Sequence, residues 1–240
     1  MSHNLYQFVF DNIINTNNTD DYKISLLKEC LDFGIDINYN GQQLLMSAIF
    51  SHNIEIVKFL LSKNIHTNNL ILNKACNNLE IMKLLIEYGA DISNMHDELL
   101  LSAIKFNNFY VVEYLLNNGA SCSEKNIVEA YKLPHKTKID NTRINNLGIM
   151  ELLLKSGANP NSKCDDGLVL LEYSIMNYGW QESDLLIKYK ADTKLCLNFI
   201  NKTPIVKEYV RGQYKEYVQY TINRASKYDL DISWLLYRRT

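Results

Sequence analysis

Gly41-Gln42-Gln43-Leu44-Leu45-Met46-Ser47-Ala48-Ile49-Phe50 runs through Ser51-His52-Asn53 into Ile54-Glu55-Ile56-Val57-Lys58-Phe59-Leu60-Leu61 and ends on Ser62-Lys63-Asn64. Apolar residues at 45, 48 and 49, and again at 56, 57, 60 and 61, fall at helical i, i+3, i+4 intervals. The stretch therefore predicts two short helices, each with one apolar stripe, joined at the 51–53 break. A small side chain at Ala48 lets the two helices approach closely. The second helix runs out at Asn64, a residue that takes the left-handed conformation at a helix end more cheaply than most.

The same ending recurs along the chain. Cys30-Leu31 precedes Gly34, Leu60-Leu61 Asn64, Leu85-Ile86 Gly89, Leu115-Leu116 Gly119, Leu153-Leu154 Gly157 and Leu186-Ile187 Lys190, at successive spacings of 30, 25, 30, 38 and 33. Ala48 has counterparts at Ala75, Ala103, Ala130 and Ser174. A period in this range marks a helical array, in which each unit buries its apolar face only against its neighbours.

Composition agrees with a globular protein. The 240 residues are 47% apolar and 22% charged with a net charge of −2, without the basic excess that counterion-driven nucleic-acid binding shows. Five cysteines, at 30, 76, 122, 164 and 196, form no Cys-x-x-Cys pair and no Cys/His cluster, and the N-terminus has no basic-apolar leader. A reduced, intracellular chain with no membrane span and no cofactor is expected. Asparagine, at about one residue in eight, is attributed to an A/T-rich coding sequence.

The units resemble ankyrin repeats, through Glu55-Ile56-Val57-Lys58-Phe59-Leu60-Leu61, Glu80-Ile81-Met82-Lys83-Leu84-Leu85, Gly89-Ala90-Asp91-Ile92, Gly119-Ala120-Ser121, Gly157-Ala158-Asn159-Pro160-Asn161 and Thr203-Pro204-Ile205. The short period and asparagine content are similar to those of ankyrin proteins from large DNA viruses and some intracellular bacteria. The chain departs from the family pattern in three places. The Pro of the Thr-Pro-Leu-His element is replaced by Leu44, Ile71, Leu99, Asn126 and Leu170, and its His by Met46, Asn73, Leu101, Val128 and Glu172. The usual Ile-Val pair is Glu182-Ser183 in the sixth unit.

The resemblance implies an all-α ankyrin-repeat solenoid of about six helix-turn-helix units, with helical caps and few or no β-fingers. As one domain over 1–240 it divides into an N-terminal cap and first unit at 1–38, repeats at 39–68, 69–93, 94–123, 124–161 and 162–194, and a C-terminal capping unit at 195–240. From the helix-ending position to the next small residue the intervals are 14, 11, 14, 11 and 17, so only the last, from 157 to 174, has room for a full finger. Leu5, Phe8, Val9, Ile13 and Ile14 share one helical stripe suited to covering the first unit. An amphipathic run from Val206 to Ala225 is suited to covering the last.

Family members bind partners on a concave surface made from the fingers and the exposed side of each first helix. Carried onto this chain, those positions are Phe50, Ser51, Asn77, Lys105, Phe106, Lys132, Met176 and Asn177. The expected function is that of a non-enzymatic, monomeric scaffold binding an unidentified partner protein, in the cytoplasm of a host cell if the chain is viral. Two readings stay open for Phe50 and Phe106: apolar anchors on that surface, or rings tucked between units. The fifth unit separates its helices by about eleven residues more than the second and carries Lys132, Lys136, Lys138 and Arg143 in the stretch 132–146. This is a tolerated insertion or a basic protrusion. With the tail, where residues 198–240 hold eight Lys/Arg against four Asp/Glu, it supplies the alternative of nucleic-acid contact; a spacer with no specific partner is the other. No phosphate-loop, dinucleotide or zinc-protease motif occurs. A Cys122, His135, Asp140 constellation would lie in a turn and a loop that could not hold catalytic geometry.

Overall fold

The computed structural model describes residues 13, 18–32, 41–133, 142–176 and 179–192, with the side chains of 142–145, 175, 176 and 180 excepted. These contain the helices α1 (Asp20–Asp32), α2 (Gly41–Phe50), α3 (Ile54–Leu61), α4 (Asn69–Ala75), α5 (Leu79–Glu87), α6 (His96–Lys105), α7 (Phe109–Asn117), α8 (Glu124–Lys132), α9 (Thr142–Lys155), α10 (Leu170–Met176) and α11 (Trp180–Lys188). No strand is present among the described residues. The chain forms two compact units, 1–121 and 122–240.

In the first unit, α2/α3, α4/α5 and α6/α7 are hairpins stacked in two layers: α2, α4 and α6 touch in succession, as do α1, α3, α5 and α7. Ala48, Ala75 and Ala103 are fully buried between the layers, as the closeness of each hairpin requires. Asn64, Gly89 and Gly119 end the second helices with φ of 57°, 91° and 96°. An added Cβ at Gly89 or Gly119 would meet nothing within 4 Å, so the left-handed backbone and not crowding demands glycine there. Gly34 lies outside the described residues.

Asparagine has structural uses that base composition does not account for. The side chains of Asn53, Asn68, Asn78 and Asn108 accept from the amides of Ile56 (3.0 Å), Ile71 (3.0 Å), Ile81 (3.2 Å) and Val111 (3.3 Å), and so cap α3, α4, α5 and α7. Others tie neighbouring repeats: Asn68 to Gln42 at 2.9 Å, Asn73 to Glu98 at 2.8 Å, and Asn108 to the Asn77 carbonyl at 2.7 Å.

In the second unit α8/α9 and α10/α11 are hairpins, and α9 touches α11. Gly157 (φ 94°) and Lys190 (φ 66°) hold the same left-handed ending. The segment expected as a loop over 132–146 is shorter than the spacing suggested, because α9 already begins at Thr142; residues 134–141 are outside the described set. The 157–174 interval holds a rudimentary finger, a single antiparallel bridge between Lys163 and Val169 closed by Cys164 N–H donating to the Leu168 carbonyl at 2.8 Å. Of the expected N-terminal stripe, Ile13 is helical and buried; Leu5, Phe8, Val9 and Ile14 lie outside the described residues, as do Thr203-Pro204-Ile205 and the whole C-terminal capping segment. No described helix is long and apolar enough to cross a membrane.

Candidate functional site

Helix α2 spends its apolar stripe on Leu44, Leu45, Ala48 and Ile49, and α6 spends its own on Leu99, Leu100, Ala103 and Ile104. The residues that follow, Phe50 and Lys105-Phe106, fall past the stripe and just before the turn. Phe50 is 61% and Phe106 39% exposed, so neither ring is tucked into the stack. Ser51, Asn77 and Lys105 are exposed as well.

The turns explain how these side chains are held. After α2, His52 takes φ 52° and Asn53 N–H donates to the Ala48 carbonyl; after α6, Asn107 takes φ 54° and Asn108 N–H donates to the Ala103 carbonyl. Between them the turn after α4 is two residues shorter: Asn78 caps the next helix three positions past Ala75, whereas Asn53 and Asn108 stand five past Ala48 and Ala103. Asn78 N–H accordingly donates to the Ala75 carbonyl, with no left-handed residue in between. The three turns are laced together, with Asn108 Nδ2 on the Asn77 carbonyl and Asn77 Nδ2 3.4 Å from His52 Nε2.

The side chain at the centre is Lys74, which the sequence reading did not single out. Its Nζ lies 5.6 Å from the Phe50 ring centroid and 6.0 Å from that of Phe106, so three consecutive first helices contribute to one aromatic–cationic cluster. The signal was present in the sequence: Lys74 immediately precedes the small Ala75, one turn from the positions two and three past the small residue of its neighbours. Carboxylates of these helices are confined to the opposite end of α6. There Asp97 accepts from Ser121 N–H at 3.0 Å and Glu98 accepts from Asn73.

The second unit holds the remaining candidates. Lys132 is exposed, but its ammonium contacts Asp165 Oδ2 of the rudimentary finger at 2.6 Å. That hydrogen bond holds the Asp165 carboxyl below, and Lys132 above, its ordinary range. Met176 ends α10, and Asn177 is outside the described residues. The family's Thr-Pro-Leu-His element has substitutes here: Asn126 Oδ1 accepts from Ser123 N–H at 2.8 Å, and Glu172 Oε2 accepts from Val169 N–H at 2.9 Å.

Burial works against thiolate formation at three of the four described cysteines. Cys76 is fully buried, its thiol 3.4 Å from the Leu99 carbonyl, and burial pushes it up to about 12. Burial also raises the thiols of Cys30 and Cys164. Cys122 is half-buried, while His135 and Asp140 lie outside the described residues. Among the described residues no group of three or more His, Cys, Asp or Glu side chains could hold a metal ion.

Comparison with known proteins shows what this chain is similar to. Residues 67–126 match the model for ankyrin repeats (three copies). The chain is 30% identical to an ankyrin repeat protein of fowlpox virus over 50% of this chain and 36% of that protein. It is 38% identical to one of Acanthamoeba polyphaga mimivirus over 39% and 22%, and 28% identical to another mimivirus protein over 83% and 54%. It thus spans about half or less of the viral relatives it matches. Among solved structures, an ankyrin repeat domain from Acinetobacter baumannii AYE superposes with a TM-score of 0.55 at 22% identity, covering 78% of this chain and all of that one. The ankyrin repeat domain of Bcl-3, a member of the IkappaB protein family, superposes with a TM-score of 0.56 at 19% identity, covering 79% and 90%.

Proposed function

Since the chain carries ankyrin repeats and resembles the ankyrin proteins of large DNA viruses, we propose that it binds a partner protein on the turn-proximal face of α2, α4 and α6. Ankyrin repeats are generally protein–protein interaction modules, and the family is generally non-enzymatic. The observation that carries the reading is the pair of exposed rings, Phe50 and Phe106, on either side of Lys74. Large aromatic side chains that the core does not need are the residues from which interfaces draw most of their energy. Ser51, Asn77 and Lys105 complete the proposed face. The hairpins already fix its backbone, so docking sacrifices little conformational freedom. On this reading the molecule works as a passive scaffold without catalysis, and its likeness to viral proteins supports a host-cell protein as the partner.

A photo-crosslinking side chain placed at Asn77, and in a separate variant at exposed Tyr88 at the end of α5, tests this in cells that express the full chain. A discrete adduct from position 77 that is lost in the Phe50→Ala/Phe106→Ala variant is the expected result. Adducts from position 88 that are indifferent to the two rings would overturn the reading.

A further inference from the structure

The face described above is cationic as well as aromatic, and that narrows what it can receive. We infer that the docked segment of the partner protein is acidic: a carboxylate pairs with Lys74 and Lys105 while an apolar neighbour packs on Phe50 or Phe106. This rests on the docking reading and adds the chemistry of the occupant.

Charge complementarity carries the inference. Lys58, Lys132, Lys155 and Lys188 each have a carboxylate within 4 Å, but neither Lys74 nor Lys105 is ion-paired among the described residues. Helices α2 and α4 contain no acidic residue, and the two of α6 sit in its first turn, held by Ser121 and Asn73. Cations therefore gather on one end of this layer although the whole chain carries a net charge of −2. Two aromatic faces attract the Lys74 ammonium without neutralising it, fixing a side chain that would otherwise lose entropy on pairing. Once an apolar neighbour covers the rings, water is kept from the pair and the attraction exceeds that of an open surface pair.

A nucleic acid fits less well. Phosphate tracking draws on many cations along a groove, and this strip offers two lysines beside two rings. Lysines in the last turns of α4 and α6 also complement the helix dipoles. If that were their whole role, replacing them would change melting and leave binding untouched.

Selection of a random peptide library on the full chain, with the Phe50→Ala/Phe106→Ala variant used for counter-selection, tests the assignment. The expected winners carry Asp or Glu next to an aromatic or aliphatic residue. They bind about ten-fold more weakly to Lys74→Met but normally to Lys74→Arg, and they weaken as NaCl is raised. Winners that depend on the two rings, lack carboxylates and ignore Lys74→Met would overturn the acidic assignment and leave the docking reading standing. Failure to obtain any peptide that depends on Phe50 or Phe106 would overturn both. A single-stranded RNA oligonucleotide that binds the full chain more tightly than the selected peptides, and loses affinity in Lys74→Met, would overturn the assignment in favour of nucleic acid.

Discussion

Helices α5 and α11 hold the same place in their hairpins and solve it with different chemistry. In α5 the buried face is Ile81, Met82, Leu84 and Leu85, capped by Asn78 and packed near Ala75. In α11 the corresponding pair is Glu182-Ser183, each about 1% exposed, the helix starts at Gly179 without a side-chain cap, and Ser174 replaces the alanine. The two serine departures answer each other: Ser174 Oγ and Ser183 Oγ are 2.7 Å apart, and Ser174 Oγ also donates to the Leu171 carbonyl at 2.9 Å. A buried hydroxyl costs little once it is paired. Seven of the eight buried polar side chains among the described residues belong to 122–240, and only Lys23 to 1–121. The same hairpin thus tolerates an apolar seam or one in which two buried hydroxyls pair with each other.

The apolar parts should behave alike, and that is the largest effect to test. Leu85→Ala and Leu153→Ala each remove a fully buried leucine, and each is expected to cost about 3 kcal/mol in urea denaturation. A loss below about 1 kcal/mol at Leu153 alone would mean that the second unit is loosely packed, breaking the equivalence.

The polar seam predicts non-additivity. Ser174→Ala strands the buried Ser183 hydroxyl and costs about 1–2 kcal/mol, Ser183→Ala leaves Ser174 its bond to the Leu171 carbonyl and costs less, and the double alanine variant costs less than the sum, since both partners go together. Strict additivity in thermal melts would show that the 2.7 Å contact is not an energetic pair.

Helix starts come next in size. Asn78→Ala should lose about 1 kcal/mol and Asn78→Asp should retain most of it, because an aspartate oxygen accepts the same amides. Glu172→Ala, which removes the acceptor for Val169 N–H, should lose a similar amount, of about 1 kcal/mol, if the two units cap equally well.

The smallest effect separates the units by pH. Glu151 receives Lys188 Nζ at 2.8 Å and Lys155 Nζ at 3.6 Å, joining α9 to α11, whereas neutral asparagine contacts contribute to the corresponding ties in 1–121. The hydrogen bond from Lys188 holds the Glu151 carboxyl below its ordinary range. A lowered carboxyl pKa contributes stability that is present above the unfolded value and is lost as pH falls through the folded one. Acid titration of stability should therefore flatten in Glu151→Gln by a few tenths of a kcal/mol, about the size left to a solvent-screened pair. An unchanged acid limb would show that the tie contributes nothing.

How much of this could be seen in the sequence follows from what is local. The left-handed endings at Asn64, Gly89, Gly119 and Gly157, the buried Ala48, Ala75 and Ala103, and the finger within 157–174 all depend on residues close in sequence, so spacing alone reveals them. The early start of α9 at Thr142 was hidden because Asn145-Asn146 looked like loop, while Asn146 is buried with its amide directed at the Leu133 carbonyl. Asparagine was underestimated for a related reason. Composition counts it once, but its capping of α3, α4, α5 and α7 depends on position. Phe50 and Phe106 were located from register, yet Lys74 between them was not, because the cluster joins residues 24 and 32 positions apart through the stacking of separate hairpins.

The claim on which the docking face depends is that its two rings are surface and not core. Urea denaturation of the Phe50→Ala/Phe106→Ala variant addresses it directly. The expected loss is about 1–2 kcal/mol, the cation–π contacts with Lys74 and some partial burial together. A loss of about 6 kcal/mol or more, the cost of truncating two buried phenylalanines, would contradict it.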